Sequence, residues 1–207
     1  MTILLSLMVV SAALAAVSYR AAWRRATALA DRDPLTGLLN RRGFDAAAAT
    51  ELARAARFSR PLTLAYIDLD DFKQVNDTYG HEEGDRLLAA VAAALAAGRA
   101  CDVVARLGGD EFALLLPETD ATAAAHAIER MRLAALAASE AAGLPVTFSC
   151  GVITFEEPPT SLAAALAEVD RVLYARKRAR QREHTSCDPL AATLRLTRRV
   201  AGQVYAA

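Results

Sequence analysis

Arg106-Leu107-Gly108-Gly109-Asp110-Glu111-Phe112-Ala113-Leu114-Leu115-Leu116-Pro117 sets two glycines and two carboxylates between apolar runs. Val103 to Leu107 reads as one strand and Phe112 to Leu116 as the next, which makes Gly108 to Glu111 a hairpin turn. Glycine reaches positive φ without steric cost and leaves no side chain to block a bulky anion. Asp110 and Glu111 follow at once. The turn that admits a phosphate therefore also presents oxygen ligands for a hard cation, a pairing suited to metal-assisted phosphoryl transfer. Taken alone, the same hairpin also reads as a surface turn with a solvated acidic tip.

Outward from the hairpin, apolar periodicity and turn residues mark the other elements. Arg41 to Phe58 reads as a helix. Pro61 to Asp68 reads as a strand, with Asp68 at its C-terminal end, where open sheets place ligand-binding groups. A loop and short helix cover Asp70 to Tyr79, with Asp70 expected to cap them. Further helices are expected over Glu83 to Ala97, Ala121 to Ala141 and Ser161 to about Arg180, and another strand over Pro145 to Phe155. Helices interleave with strands and one connection is a tight hairpin. The fold class is α+β, a mixed, antiparallel-containing sheet flanked by helices. This layout brings Asp68 together with Asp110 and Glu111. Magnesium takes near-octahedral oxygen ligands and bridges carboxylates to phosphates. Two such ions would align an attacking oxygen with an α-phosphate and stabilise the departing pyrophosphate. Lys73 lies one short segment from Asp68, within reach of a phosphate.

The chain has 207 residues, 54% hydrophobic and only 6% aromatic, with a formal net charge of +0. Acidic and basic residues are interleaved, a balance that calls for no nucleic-acid partner. Ile3 to Tyr19 carries no charged residue, and Arg20, Arg24 and Arg25 follow it. The run is just long enough to span a bilayer as a helix, and its flanking charge puts all that follows Arg20 in the cytoplasm. Residues 1–22 are thus expected to form a single transmembrane anchor helix in the cytoplasmic (inner) membrane, followed by a linker over 23–32. A cleaved signal peptide, here without its basic leader, and a soluble N-terminal helix are the alternatives. Cys101, Cys150 and Cys187 lack metal-ligand spacing. Cys101 and Cys150 read as small buried hydrophobes in a reducing compartment.

Several further motifs occur in order: Asp33-Pro34-Leu35-Thr36-Gly37-Leu38-Leu39-Asn40-Arg41-Arg42, Asp68-Leu69-Asp70-Asp71-Phe72-Lys73, Asn76-Asp77 with Gly80-His81 and Gly84-Asp85, and Asp170-Arg171-Val172-Leu173-Tyr174. Together with Gly108-Gly109-Asp110-Glu111-Phe112 they resemble the GGDEF domain, the catalytic domain of diguanylate cyclases. The resemblance implies a nucleotide-cyclase-like palm with a ferredoxin-like core over 33–183. It implies condensation of two GTP into cyclic di-GMP and two pyrophosphates across a homodimer. Asp68, the Leu69 carbonyl, Asp110 and Glu111 would hold two Mg²⁺ ions, with Mn²⁺ as an alternative. Asp110 and Glu111 would serve the attacking 3′-hydroxyl. Asn76, His81 and Asp85 would meet the guanine end of GTP, and Lys73, Gly108, Gly109 and Lys177 its phosphates. An Asp can accept from guanine N1–H and N2–H, a pattern adenine lacks.

Arg99-Ala100-Cys101-Asp102 resembles, in register, the family's inhibitory product site, with Arg130 as a second contact. Arginine stacks on guanine and forks onto phosphate, which lysine does poorly. Gln181 stands where the family carries an arginine. The competing reading is a weak or inactive module that binds GTP or cyclic di-GMP as a receptor. Residues 184–207 lie outside the resemblance and read as a tail, either poorly ordered or forming a short helix that touches a membrane surface or a partner.

Overall fold

The computed structural model describes residues 30–144, 146–159, 161–185 and 198–199. Its elements, in order, are α1 (Arg41–Phe58), β1 (Leu62–Leu69), α2 (Phe72–Tyr79), α3 (His81–Ala96), β2 (Val103–Gly108), β3 (Glu111–Pro117), α4 (Ala121–Ala141), β4 (Phe148–Phe155), α5 (Leu162–Thr185) and β5 (Arg198–Arg199). The sheet order is β2-β3-β1-β4-β5. β1 runs antiparallel to both β3 and β4, and β2 to β3, while β5 lies parallel to β4. From β1 to β4 this is the split βαβ plan of ferredoxin-like folds, as the sequence led one to expect.

β1 is buried at every position. Successive side chains point to opposite faces, and both faces are covered. Ala65, Ile67 and Leu69 join the core under α3 and α4. Leu62, Leu64 and Tyr66 join a second core under α1 and α5. α1 starts where Asn40 Oδ1 accepts from the Gly43 amide at 3.0 Å, and α4 where Asp120 Oδ1 accepts from the Ala123 amide at 2.8 Å, both side-chain N-caps. An ideal Cβ on Gly151, midway along β4, would stand 2.7 Å from the Leu173 amide nitrogen and 2.8 Å from the Val169 carbonyl oxygen. α5 therefore rests on β4 backbone to backbone.

The helices over Arg41–Phe58 and Ala121–Ala141 coincide with their sequence expectations. α3 starts at His81 rather than Glu83, because Gly80 at φ +89° ends α2 and starts α3 in a single residue. β4 starts at Phe148 rather than Pro145, and α5 runs on to Thr185. Two expectations need correction. Cys101 is exposed, since it sits in the turn before β2 and not in a strand. Asp70 does not cap α2: its carboxylate accepts from Thr147 Oγ1 at 2.7 Å and Ser149 Oγ at 2.5 Å, pinning the end of β1 to β4. The anchor expected over 1–22, most of the linker and tail, and Cys187 lie outside the described residues. Among the described residues no helix is long and apolar enough to cross a membrane.

Candidate active site

The site grows from the register of β1 against β3. Asp68 and Glu111 are directly opposed, and the Leu69 amide donates to the Asp110 carbonyl oxygen at 3.2 Å. The ends of the two central strands thus carry Asp68, Leu69, Asp110 and Glu111 side by side. The hairpin closes on the pair Gly108–Glu111. Gly108 has φ +156° and Gly109 φ +49°, and a Cβ on either would meet nothing within 4 Å. The space over the turn is open, and both residues adopt backbone that other residues avoid.

Asp68 is the buried member, with 10% of its side chain exposed, and its Oδ2 accepts from Lys177 Nζ at 2.6 Å. Burial raises its carboxyl above the ordinary carboxylate range. The Lys177 ammonium opposes that rise, while the nearby charges of Asp110 and Glu111 add to it. Asp110 is half-buried. Glu111 is more open and lies 4.0 Å from Arg41 Nη2. Beside it a cavity of about 330 Å³ runs between the sheet and α5, lined by Arg41, Tyr66, Leu107, Leu166 and Asp170 among others.

Among the described residues, no three His, Cys, Asp or Glu side chains gather on one point as a finished metal cage. The expected convergence is one of strand ends, with Asp68 engaged by Lys177 and Glu111 facing Arg41. The donor set nonetheless fits a divalent cation. It consists of carboxylate and carbonyl oxygens, and mutual repulsion among its carboxylates favours an added positive charge.

One residue that sequence reasoning passed over organises the turn. Arg106 Nε and Nη2 both donate to the Gly109 carbonyl, at 2.9 and 2.8 Å. Its Nη1 reaches Asp33 Oδ1 at 3.2 Å and Oδ2 at 3.3 Å. Asp33 also accepts from the Thr36 amide and hydroxyl at 2.9 and 2.7 Å. Burial works to raise the Asp33 carboxyl, but the bonds from Thr36 and Arg106 outweigh it and hold the group below the usual range. Arg106 thereby ties the turn to the segment before α1. The available signal was a long cation two residues before the glycine pair on an otherwise apolar strand.

The nucleotide-facing candidates lie on α2 and α3. Asn76 is half-buried, while His81 and Asp85 are exposed at the start of α3. Lys73 points to solvent, 88% exposed, and pairs with Asp77 at 3.2 Å, so it is not gathered with the carboxylates. At the opposite end of β2, Arg99 forks onto Asp102 Oδ1 at 3.0 and 2.7 Å, and its own amide donates to Asp102 Oδ2 at 2.9 Å. The Asp102 side chain is 1% exposed. The hydrogen bond to Asp102 raises the Arg99 guanidinium above its ordinary value. Arg99 Nη2 also donates to Thr119 Oγ1 at 2.7 Å, a partner the sequence did not disclose. Arg130 is exposed on α4.

The sequence profile described as "Diguanylate cyclase, GGDEF domain" matches residues 30–183. Diguanylate cyclase DgcP of Pseudomonas aeruginosa is 39% identical over 151 residues, covering 71% of this chain and 22% of that protein. Diguanylate cyclase DgcM of Escherichia coli is 39% identical over 150 residues, covering 72% of this chain and 36% of that protein. The chain thus spans well under half the length of these relatives. Among solved structures, diguanylate cyclase SiaD of Pseudomonas aeruginosa, in complex with its activator SiaC, is 36% identical with a TM-score of 0.68, covering 82% of this chain and 68% of that one. The GGDEF domain of DgcB from Caulobacter crescentus, in complex with c-di-GMP, is 31% identical with a TM-score of 0.64, covering 72% of this chain and 89% of that one.

Proposed function

The chain belongs to the diguanylate cyclase GGDEF-domain family, and from that premise we propose that it condenses two GTP into cyclic di-GMP and two pyrophosphates. The observation that carries the proposal is the buried Asp68 directly across from Glu111, beside an open Gly108–Gly109 turn. Asp68, Asp110, Glu111 and the Leu69 carbonyl would hold two divalent cations, Mg²⁺ or Mn²⁺, which supply charge neutralisation at the α-phosphate and the leaving pyrophosphate.

The protein's own groups do the rest. The bare turn admits the triphosphate, and Arg106 keeps the Gly109 carbonyl turned away from it. Lys177 balances Asp68 when the site is empty and exchanges that carboxylate for phosphate when GTP enters. Asn76 and Asp85, with His81 beside them, read the guanine edge, and Asp110 and Glu111 orient the 3′-hydroxyl. Each copy holds one GTP, so the two hydroxyls attack reciprocally only in a dimer. Arg99, Asp102 and Arg130 bind the product and provide feedback. Residues 1–22 anchor the chain in the inner membrane, with the catalytic domain on the cytoplasmic side.

The test is chromatography of the 207-residue chain, in detergent, with GTP and Mg²⁺. The parent forms cyclic di-GMP and pyrophosphate, and Asp110→Ala forms neither. A parent that binds GTP but forms no product returns the reading to a receptor module. Gln181, in place of an arginine that would add a charge-assisted phosphate contact, is the feature that favours that alternative.

A further inference from the structure

We propose that Gly84 is a positioning residue for base recognition: its missing side chain leaves the place that the Asn76 amide occupies. Gly80 alone separates α2 from α3, so the last turn of α2 faces the first turn of α3. The Gly80 amide donates to the Asn76 carbonyl at 2.9 Å and the Gly84 amide to the Gly80 carbonyl at 3.2 Å, which holds the corner rigid. Gly84 is buried inside α3, and its φ is not positive. The backbone there suits any residue, and glycine within a helix is less stable than alanine. What excludes alanine is space. An ideal Cβ on Gly84 would overlap Asn76 Oδ1 outright and stand 3.1 Å from Asn76 Cγ and 3.2 Å from Phe72 Cζ.

The two neighbours differ in how far they can yield. Phe72 is 9% exposed and packed in the core, so its ring is held. The half-buried Asn76 amide is the far end of a rotatable side chain and gives way. A methyl at position 84 therefore leaves α2 and α3 in place and turns the amide out of its position. The cost falls on recognition rather than on folding. Asp85, the other candidate base contact, is the next residue, so the glycine sets both groups on one short arc. This inference rests on the reading of Asn76 as a guanine contact.

The test is calorimetric affinity for the unreactive α,β-methylene analogue of GTP, with Mg²⁺, in the 207-residue chain. Parent, Gly84→Ala, Asn76→Ala and the double variant are compared, with the corresponding ATP analogue as control. Gly84→Ala is expected to weaken the guanine analogue about tenfold, to leave the adenine analogue unchanged, and to keep the parent's unfolding temperature. The double variant is expected to bind as Asn76→Ala does, because a residue that acts through Asn76 has no effect once its side chain is gone. Losses that multiply in the double variant, or parent-like binding by Gly84→Ala, overturn the proposal. If Gly84→Ala lowers the unfolding temperature, the double variant must restore it, since the Asn76 amide is what the methyl meets; failure to do so also overturns it. Asn76→Ala binding like the parent identifies a different failure, that of the guanine contact itself.

Discussion

Lys177 Nζ lies 2.6 Å from Asp68 Oδ2, joining α5 to the end of β1 through partners of unequal exposure, 35% for the lysine side chain and 10% for the aspartate. Removing either partner therefore has a different cost. Lys177→Met leaves a buried carboxylate beside Asp110 and Glu111 and is expected to cost about 1–3 kcal/mol, reduced from a fully buried pair by the lysine's partial exposure. Asp68→Asn keeps an acceptor for the ammonium and relieves the carboxylate repulsion, so its cost is expected to stay under about 1 kcal/mol. Urea unfolding without divalent cations measures both, and equal costs would contradict the asymmetry.

Arg106→Ala removes the fork that holds the Gly109 carbonyl and the bond to Asp33. The expected loss is about 1–2 kcal/mol of stability, with a fall in cyclic di-GMP formation larger than that loss explains, because the turn is no longer held. Arg106→Lys restores charge but only one direction of donation, so it recovers stability more than rate. Initial rates measured well below each variant's unfolding temperature separate the two effects.

Asp33 carries a pH signature. Its folded carboxyl titrates below the ordinary 3.8, so the folded state prefers the ionised form. The resulting stability is fully present above 3.8 and is lost as pH falls through the lowered folded value. Asp33→Asn is expected to be less stable than the parent at neutral pH, and the two unfolding temperatures converge in strong acid. A gap that persists or widens there would show that the ionised carboxylate, held by Thr36 first and Arg106 second, is not its source.

Arg99→Ala separates structure from feedback. Asp102 keeps the residue 99 amide but loses a two-pronged guanidinium. The expected result is a modest stability loss, about 1–2 kcal/mol, and at least about tenfold weaker cyclic di-GMP binding by calorimetry. Arg99→Lys is expected to recover stability without recovering affinity. Product affinity that survives both substitutions would overturn the proposed product site at Arg99 and Asp102.

Much of this was legible from local rules. α1 was legible over Arg41 to Phe58 from its residue pattern, and the structure adds the Asn40 side-chain cap at its start. The hairpin was legible because two glycines interrupt two apolar runs. What escaped depends on partners remote in sequence. Asp70 is held by Thr147 and Ser149, 77 and 79 residues away, so it looked like a local cap. Arg106 read as one more strand residue because Asp33 lies 73 residues earlier. Cys101 reads as a small buried hydrophobe from its type alone, whereas the turn that exposes it is closed by the Asp102 amide on the Arg99 carbonyl and by the fork of Arg99 on Asp102. Gly84 carried no turn signal at all, since its role is defined by what occupies the space beside it.

β1 carries Thr63 near one end and Asp68 near the other. Thr63 Oγ1 donates to the Thr119 carbonyl at 3.0 Å and shares a hydrogen bond with Thr154 Oγ1 at 2.8 Å, and the hydroxyl of that same Thr119 receives Arg99. The two ends are about 17 Å apart along an extended strand. Paired on both edges, β1 cannot stretch or shear without breaking two ladders at once. The Arg99 turn and the Asp68 carboxylate are therefore like two marks on a ruler. Where copies of this chain associate, the surface gripped at one mark dictates where the other points. The angle between whole subunits, rather than any pliancy within one, is then the quantity open to control.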